Sequence, residues 1–296
     1  MNRVLGFIGF GEAGFNIAKG LRGAGIGQIC AFDIHTHTPG TGERIQARAQ
    51  ETATALLASP AELAATADII FSTVTASAAL EAAEQIQASL RSHHFYADLN
   101  SVSPALKQNI ERVITGSGAH FIEVAVMAPV PPYAHRVPML LGGPAASEFA
   151  ELLSPFGMRF EVVSETVGRA AAVKMFRSIV VKGLEALLLE CVLGASVYGA
   201  EQRVFESLSE TFPRIDWNKL ADYMIGRVVA HGERRAHEME EVAETLRRIG
   251  IDPIMSEATA RRQAWCAGLD LRSQFGGNAP DNYRDVLRAI ANVTAM

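Results

Sequence analysis

Short apolar runs of four to six residues alternate with helically spaced apolar positions along the first 163 residues of the chain. The runs predict strands at Val4–Gly9, Gln28–Asp33, Ile69–Val74, Phe95–Asn100, His120–Val124, Met139–Gly142 and Phe160–Val163, because unbroken apolar runs suit strands buried on both faces. Between them the spacing predicts helices over Glu12–Ala24, Glu43–Leu57, Pro60–Thr66, Ser77–Leu90, Pro104–Thr115 and Ala145–Ser154. Ser59-Pro60-Ala61-Glu62 has the form of a capping box with proline at the first helical position, and Ser103-Pro104 repeats the cap-then-proline device. Such alternation predicts an α/β domain, a parallel sheet covered by helices on both faces. After Gly168 the strand signals stop. Arg169 to about Leu193 reads as one long apolar helix, and helical patterns continue with breaks near Phe212-Pro213, Gly250–Pro253 and Gly276-Gly277. Over Arg234–Ile249 the apolar residues Ala236, Met239, Val242, Ala243, Leu246 and Ile249 recur at helical spacing, which predicts an amphipathic helix on a core. The expected organisation is an α/β domain at 1–165 and an all-helical domain at 166–296, joined by the long helix.

Composition narrows the function classes. Lys plus Arg at 27 against Asp plus Glu at 32 gives a net charge of −5, so no positive excess favours a nucleic-acid backbone or an anionic membrane surface. Three scattered cysteines, Cys30, Cys191 and Cys266, form no C-x-x-C pair, which suits neither a disulfide framework nor a zinc cluster and fits a reducing cytoplasm. No apolar stretch reaches a membrane span, since even Ala170 to Leu193 contains Lys174, Arg177, Lys182, Glu185 and Glu190. The eight histidines show no metal-ligand spacing and no G-x-S-x-G is present, so neither metal catalysis nor a serine nucleophile is expected.

The most informative motif is Gly9-Phe10-Gly11-Glu12-Ala13-Gly14, which closes the first strand and opens the first helix. A dinucleotide uses this spacing: the first glycine makes the tight turn, the second lets the backbone approach the pyrophosphate, and the third permits close helix–strand packing. Asp33, at the end of the second strand, stands where a carboxylate accepts hydrogen bonds from an adenosine ribose and repels a 2′-phosphate. No arginine follows it in Ile34-His35-Thr36-His37-Thr38. NAD is therefore the expected cofactor, with NADP left open by His35 and His37. Thr73, Val74, Thr75, Asn100 and Ser101 sit at the carboxyl ends of later strands, where open α/β sheets bind ligands.

With Gly6 to Gly14, Asp98-Leu99-Asn100-Ser101, Pro104, the paired Gly142-Gly143, and Gly168 six residues before Lys174, the chain resembles the β-hydroxyacid dehydrogenase superfamily over nearly its full length. The second half, especially Arg234 to Met239, is similar to a poorly characterised branch with a 6-phosphogluconate-dehydrogenase-like C-terminal domain. The resemblance implies a Rossmann domain, a long inter-domain helix, an all-α domain that forms a homodimer, and Lys174 as general acid/base. The residues alone support that lysine in part. Lys174, Ser178, Lys182 and Glu185 make one polar stripe on an apolar helix, which implies a cavity, a partner or paired charges.

Two departures matter. Where relatives carry Ser-Gly-Gly in a loop after the fifth strand, the corresponding loop here reads Val124-Ala125-Val126-Met127-Ala128-Pro129, and the asparagine position on the helix is Ser178. Tyr133, His135 and Arg136 are candidates for replacement polar contacts, and one or two of Arg227, Arg234, Arg235, Arg247, Arg248, Arg261 and Arg262 for an anionic substrate group. The expected function is interconversion of an alcohol and a carbonyl on a small anionic hydroxy acid by NAD(P), with Lys174, Asn100 and Ser178 as catalytic candidates and Ser101 and Met127 as substrate contacts. The alternatives are a non-catalytic dinucleotide sensor and an imine reductase on the same fold.

Overall fold

The computed structural model describes residues 3–294, which fall into two compact units, one ending at Lys174 and the other beginning at Met175. The first contains β1 (Leu5–Ile8), α1 (Glu12–Gly23), β2 (Ile29–Phe32), α2 (Thr41–Glu51), β3 (Ala55–Leu56), α3 (Pro60–Thr66), β4 (Ile69–Ser72), α4 (Ala79–Gln87), β5 (Phe95–Asp98), α5 (Pro104–Thr115), β6 (His120–Val126), β7 (Pro138–Gly142), α6 (Ala146–Leu153) and β8 (Arg159–Ser164). The eight strands run in the order β3-β2-β1-β4-β5-β6-β7-β8. β1, β4 and β5 are buried at every position, and helix-covered apolar cores lie on both faces of the sheet. Ser59 and Ser103 cap α3 and α5 as their sequences imply, each accepting from the backbone N–H three residues on.

The expected strands therefore form one sheet of doubly wound α/β type. Two expectations need correction. The helix read over Glu43–Leu57 stops at Glu51, because Ala53 takes a positive φ of 49° and turns the chain into the edge strand β3, paired with Cys30 and Ala31. The sheet is not wholly parallel, since β7 runs antiparallel to β6, with Val126 opposite Met139. The proline-rich segment between them is too short for the helical crossover that a parallel return requires.

A single helix, α7 (Arg169–Ser196), runs from the first unit into the second, which continues with α8 (Glu201–Thr211), α9 (Trp217–Arg248), α10 (Ile254–Gly268), α11 (Leu271–Gln274) and α12 (Tyr283–Thr294). The amphipathic stretch read from Arg234 is the second half of α9, which begins at an Asp216 cap on the N–H of Lys219. α9 keeps Gly226 and Gly232 despite their helix cost because of close approach. A Cβ there would lie 2.5 Å from the Pro280 carbonyl oxygen and 3.0 Å from that of Gln263. The core of this unit gathers Leu188, Leu189, Phe205, Ile225, Val228 and Tyr283. No described helix is long and apolar enough to cross a membrane.

Candidate active site

Gly9, Gly11 and Gly14 occupy the turn between β1 and α1, and each is a glycine for its own reason. Gly9 has φ +80°, and a Cβ on it would stand 2.8 Å from the Thr73 carbonyl oxygen. A Cβ on Gly14 would meet the Thr73 hydroxyl at 2.8 Å, so this glycine lets α1 pack against the turn. A Cβ on Gly11 would meet nothing within 4 Å, which leaves its backbone open to approach. Beside this turn lies a cavity of about 440 Å³, lined by Gly9, Gly11, Asp33, His35, Thr73, Val74 and Thr75 among others. The open turn, the exposed helix start and an adjacent cavity fit the pyrophosphate and adenosine of a dinucleotide.

Asp33 stands at the cavity wall with its carboxylate already oriented. One oxygen accepts from the Phe10 N–H at 2.7 Å and the other from the His35 N–H at 2.9 Å. A carboxylate has about four acceptor positions, so capacity for a ribose hydroxyl remains. Phe10 contributes that N–H while its ring is buried in the core. Phe10, Glu12, Ala13 and Gly14 thus shape the turn without lining the cavity. Among the lining residues that linear reading missed are Arg44 and Arg48 of α2. They lie beyond the segment Ile34–Thr38 that directly follows Asp33, and their i, i+4 spacing with Thr41 and Ile45 puts them on one helix face.

Asn100 and Ser101 follow β5 on the same carboxyl edge of the sheet. Asn100 is buried, and its side-chain amide donates to Asp98 and, at 2.9 Å, to the Ser72 hydroxyl. Asp98 pairs with Lys107 at 2.9 Å, both side chains 1% exposed. The Lys107 ammonium also donates to the carbonyls of Asp98 (2.6 Å) and Val124 (3.3 Å), tying the ends of β5 and β6 together. Burial and the Asp98 charge push the Tyr96 hydroxyl far up, so it stays protonated beneath this network. The Lys174 ammonium donates to the Ser101 hydroxyl at 2.6 Å.

Comparison with known proteins fits this geometry. Residues 4–163, more than half of the chain, match the model of the NAD binding domain of 6-phosphogluconate dehydrogenase. The chain belongs to that family. Residues 195–266 match a domain of unknown function, DUF1932. A conserved hypothetical protein from Sinorhizobium meliloti 1021 is 38% identical, with 99% of this chain and 97% of that one covered and a TM-score of 0.83. The conserved protein MTH1747, described as structurally similar to 3-hydroxyacid dehydrogenases, is 29% identical over 93% of this chain and 99% of its own, with a TM-score of 0.76. The 3-hydroxyisobutyrate dehydrogenase of Mycobacterium tuberculosis shares the fold at 16% identity, over 99% of this chain and all of its own (TM-score 0.72).

Within this 6-phosphogluconate-dehydrogenase-like frame, two groups of candidate residues have structural duties. His135 is buried against α1, where a Cβ on Gly20 would lie 2.0 Å from its Nδ1, so it anchors the loop after β6 and is no replacement substrate contact. Met127 holds the start of that loop through its N–H to the Pro138 carbonyl at 2.9 Å, and its side chain is half-buried. In the second unit the polar stripe of α7 is answered by paired charges. Lys182 meets Glu238 at 2.5 Å, and Glu185 accepts from Arg235 at 2.6 and 2.8 Å. Arg235 is thus already committed to a carboxylate, which removes it from the candidates for an anionic substrate group. Ser178 lies one turn beyond Lys174 on the same helix.

Proposed function

We propose that this protein is an NAD(P)-dependent oxidoreductase that interconverts an alcohol and a carbonyl on a small, anionic hydroxy acid. The supporting observation is the Lys174–Ser101 contact on the carboxyl edge of the sheet that carries the glycine turn. The bound nicotinamide supplies the hydride chemistry. Gly9 and Gly11 would hold the pyrophosphate by close backbone approach and Asp33 would take the ribose, while Asn100, bonded to Asp98 and Ser72, anchors the end of β5. Lys174 passes a proton to or from the substrate oxygen, with Ser101 orienting its ammonium. Asp33 favours NAD. Arg44 and Arg48 offer charge to a 2′-phosphate, so NADP is the second cofactor.

Titration with NADH and NADPH, followed by a screen of hydroxy acids and cyclic imines for nicotinamide absorbance change, tests this reading. NADH binding with turnover that falls about 10²–10⁴-fold in Lys174→Ala, at unchanged NADH affinity, is the expected result. Binding without turnover across the panel would indicate a dinucleotide sensor. We further propose a cytoplasmic homodimer. Val173, Val180 and Leu187 are exposed at seven-residue intervals along α7, and Cys30, Cys191 and Cys266 are unpaired. Light scattering showing a monomer at micromolar protein would overturn the dimer.

A further inference from the structure

Glu123 is fully buried on β6 and has no part in the chemistry proposed above. Its carboxylate accepts from the backbone N–H groups of Gly168 (2.8 Å), Ala170 (3.3 Å) and Ala171 (2.7 Å). The first turn of a helix leaves its amides without intrahelical partners and concentrates positive partial charge, so a carboxylate there satisfies donors and complements the dipole. Most caps come from the residue beside the helix. This one comes from a strand 45 residues upstream, and it therefore fixes where the first turn of α7 sits against the sheet. The fold clears space for it: a Cβ on Gly142 would stand 2.4 Å from Glu123 Oε2. Gly168 turns its N–H inward at φ +104°.

Lys174 follows Ala171 by three residues, which puts it one turn above the cap on the same side of the helix. On the neighbouring strand, Asp98 is the register partner of Glu123. Asp98 orders Asn100 and hence the chain at Ser101, while Glu123 orders the helix of Lys174. We propose that Glu123 is the positioning residue for Lys174, holding its ammonium on Ser101 by capping α7 from the sheet. The proposal rests on the reading of Lys174 as the acid/base group, and its test does not require turnover.

The experiment compares wild type with Glu123→Gln and Glu123→Asp by competitive acetylation of lysines as a function of pH, with the exposed Lys219 as internal reference. Hydrogen exchange over residues 168–174 and NADH titration accompany it. In Glu123→Gln, exchange over the first turn should rise about tenfold. Lys174 should acetylate at least about threefold faster relative to Lys219, with a displaced pH profile, because its ammonium leaves Ser101. NADH affinity should hold within about twofold, since the glycine turn is built from other strands. Glu123→Asp, which keeps the charge on a shorter arm, should fall between and carries the test if Glu123→Gln does not fold. Unchanged Lys174 reactivity, whether or not exchange rises, would overturn the proposal and leave Glu123 a purely structural cap. Failure of wild type to bind NADH would sink the oxidoreductase reading while the acetylation profile still decides the role of Glu123.

Discussion

Buried charges in the first unit are held chiefly by backbone groups, and those in the second by other side chains. Glu123 is held by three amides, and Lys107 by two carbonyls besides Asp98. Glu185, by contrast, is held by Arg235, with Arg227 at 3.4 Å and the Gln263 amide at 3.2 Å. Strand ends and helix first turns leave backbone donors and acceptors open, so a buried charge there can find them. Inside long helices those groups bond one another, and a buried charge must be met by a side chain from the neighbouring helix. Backbone-held charges thus fix strand ends and a helix start, which is where the candidate site lies. Side-chain-held charges fix the register of α7, α9 and α10.

The sharpest way to break this comparison is to remove one partner from each group. Glu185→Ala leaves Arg235, 3% exposed, without its carboxylate and should cost about 3–5 kcal/mol in urea unfolding, with NADH affinity unchanged. Glu185→Leu combined with Arg235→Met should recover most of the loss. Lys107→Met should cost a similar ~3–5 kcal/mol but also raise the acetylation of Lys174, because the β5 end that presents Ser101 loosens. If Lys107→Met leaves Lys174 untouched, backbone-held charges do not serve the site.

Smaller effects sharpen the picture around the loop after β6. Gly20→Ala drives a methyl into the ring of His135 and should cost ~1–3 kcal/mol by overpacking, read as a lower urea midpoint. The smallest effect is one of pH. Burial, helped by the Arg136 charge, pushes the His135 ring below its usual 6.5, so the folded state binds fewer protons than the unfolded one. Its contribution is present above about pH 6.5 and is lost as pH falls through the lowered value. His135→Phe should flatten the change in unfolding midpoint between neutral and mildly acidic solution. An equal slope in both proteins would show that this ring does not titrate on unfolding.

Much of the site could be read directly because its residues act locally. The glycines work through φ and through space at their own Cα, and Ser103-Pro104 caps its helix within four residues. Lys174 was legible as part of a polar stripe, yet the stripe has two meanings in the structure: its first member meets Ser101, while Lys182 and Glu185 enter ion pairs with α9. Arg44, Arg48, Lys107 and Glu123 were missed because their partners are distant in the chain or, for the arginines, because a helix face brings them to the cavity wall.

The amino-acid sequence by itself determined the two regimes of structure, the dinucleotide turn and the lysine on the long helix, since these depend on periodicity, steric freedom at glycine and short-range capping. Only the tertiary structure decided the edge strand at Ala55–Leu56, the antiparallel return of β7 and the assignment of each buried charge. The reason is physical. A buried carboxylate or ammonium is stable only where backbone groups or an opposite charge meet it, and which groups those are depends on strand register and helix packing, which bring Gln263 to Glu185 across 78 positions.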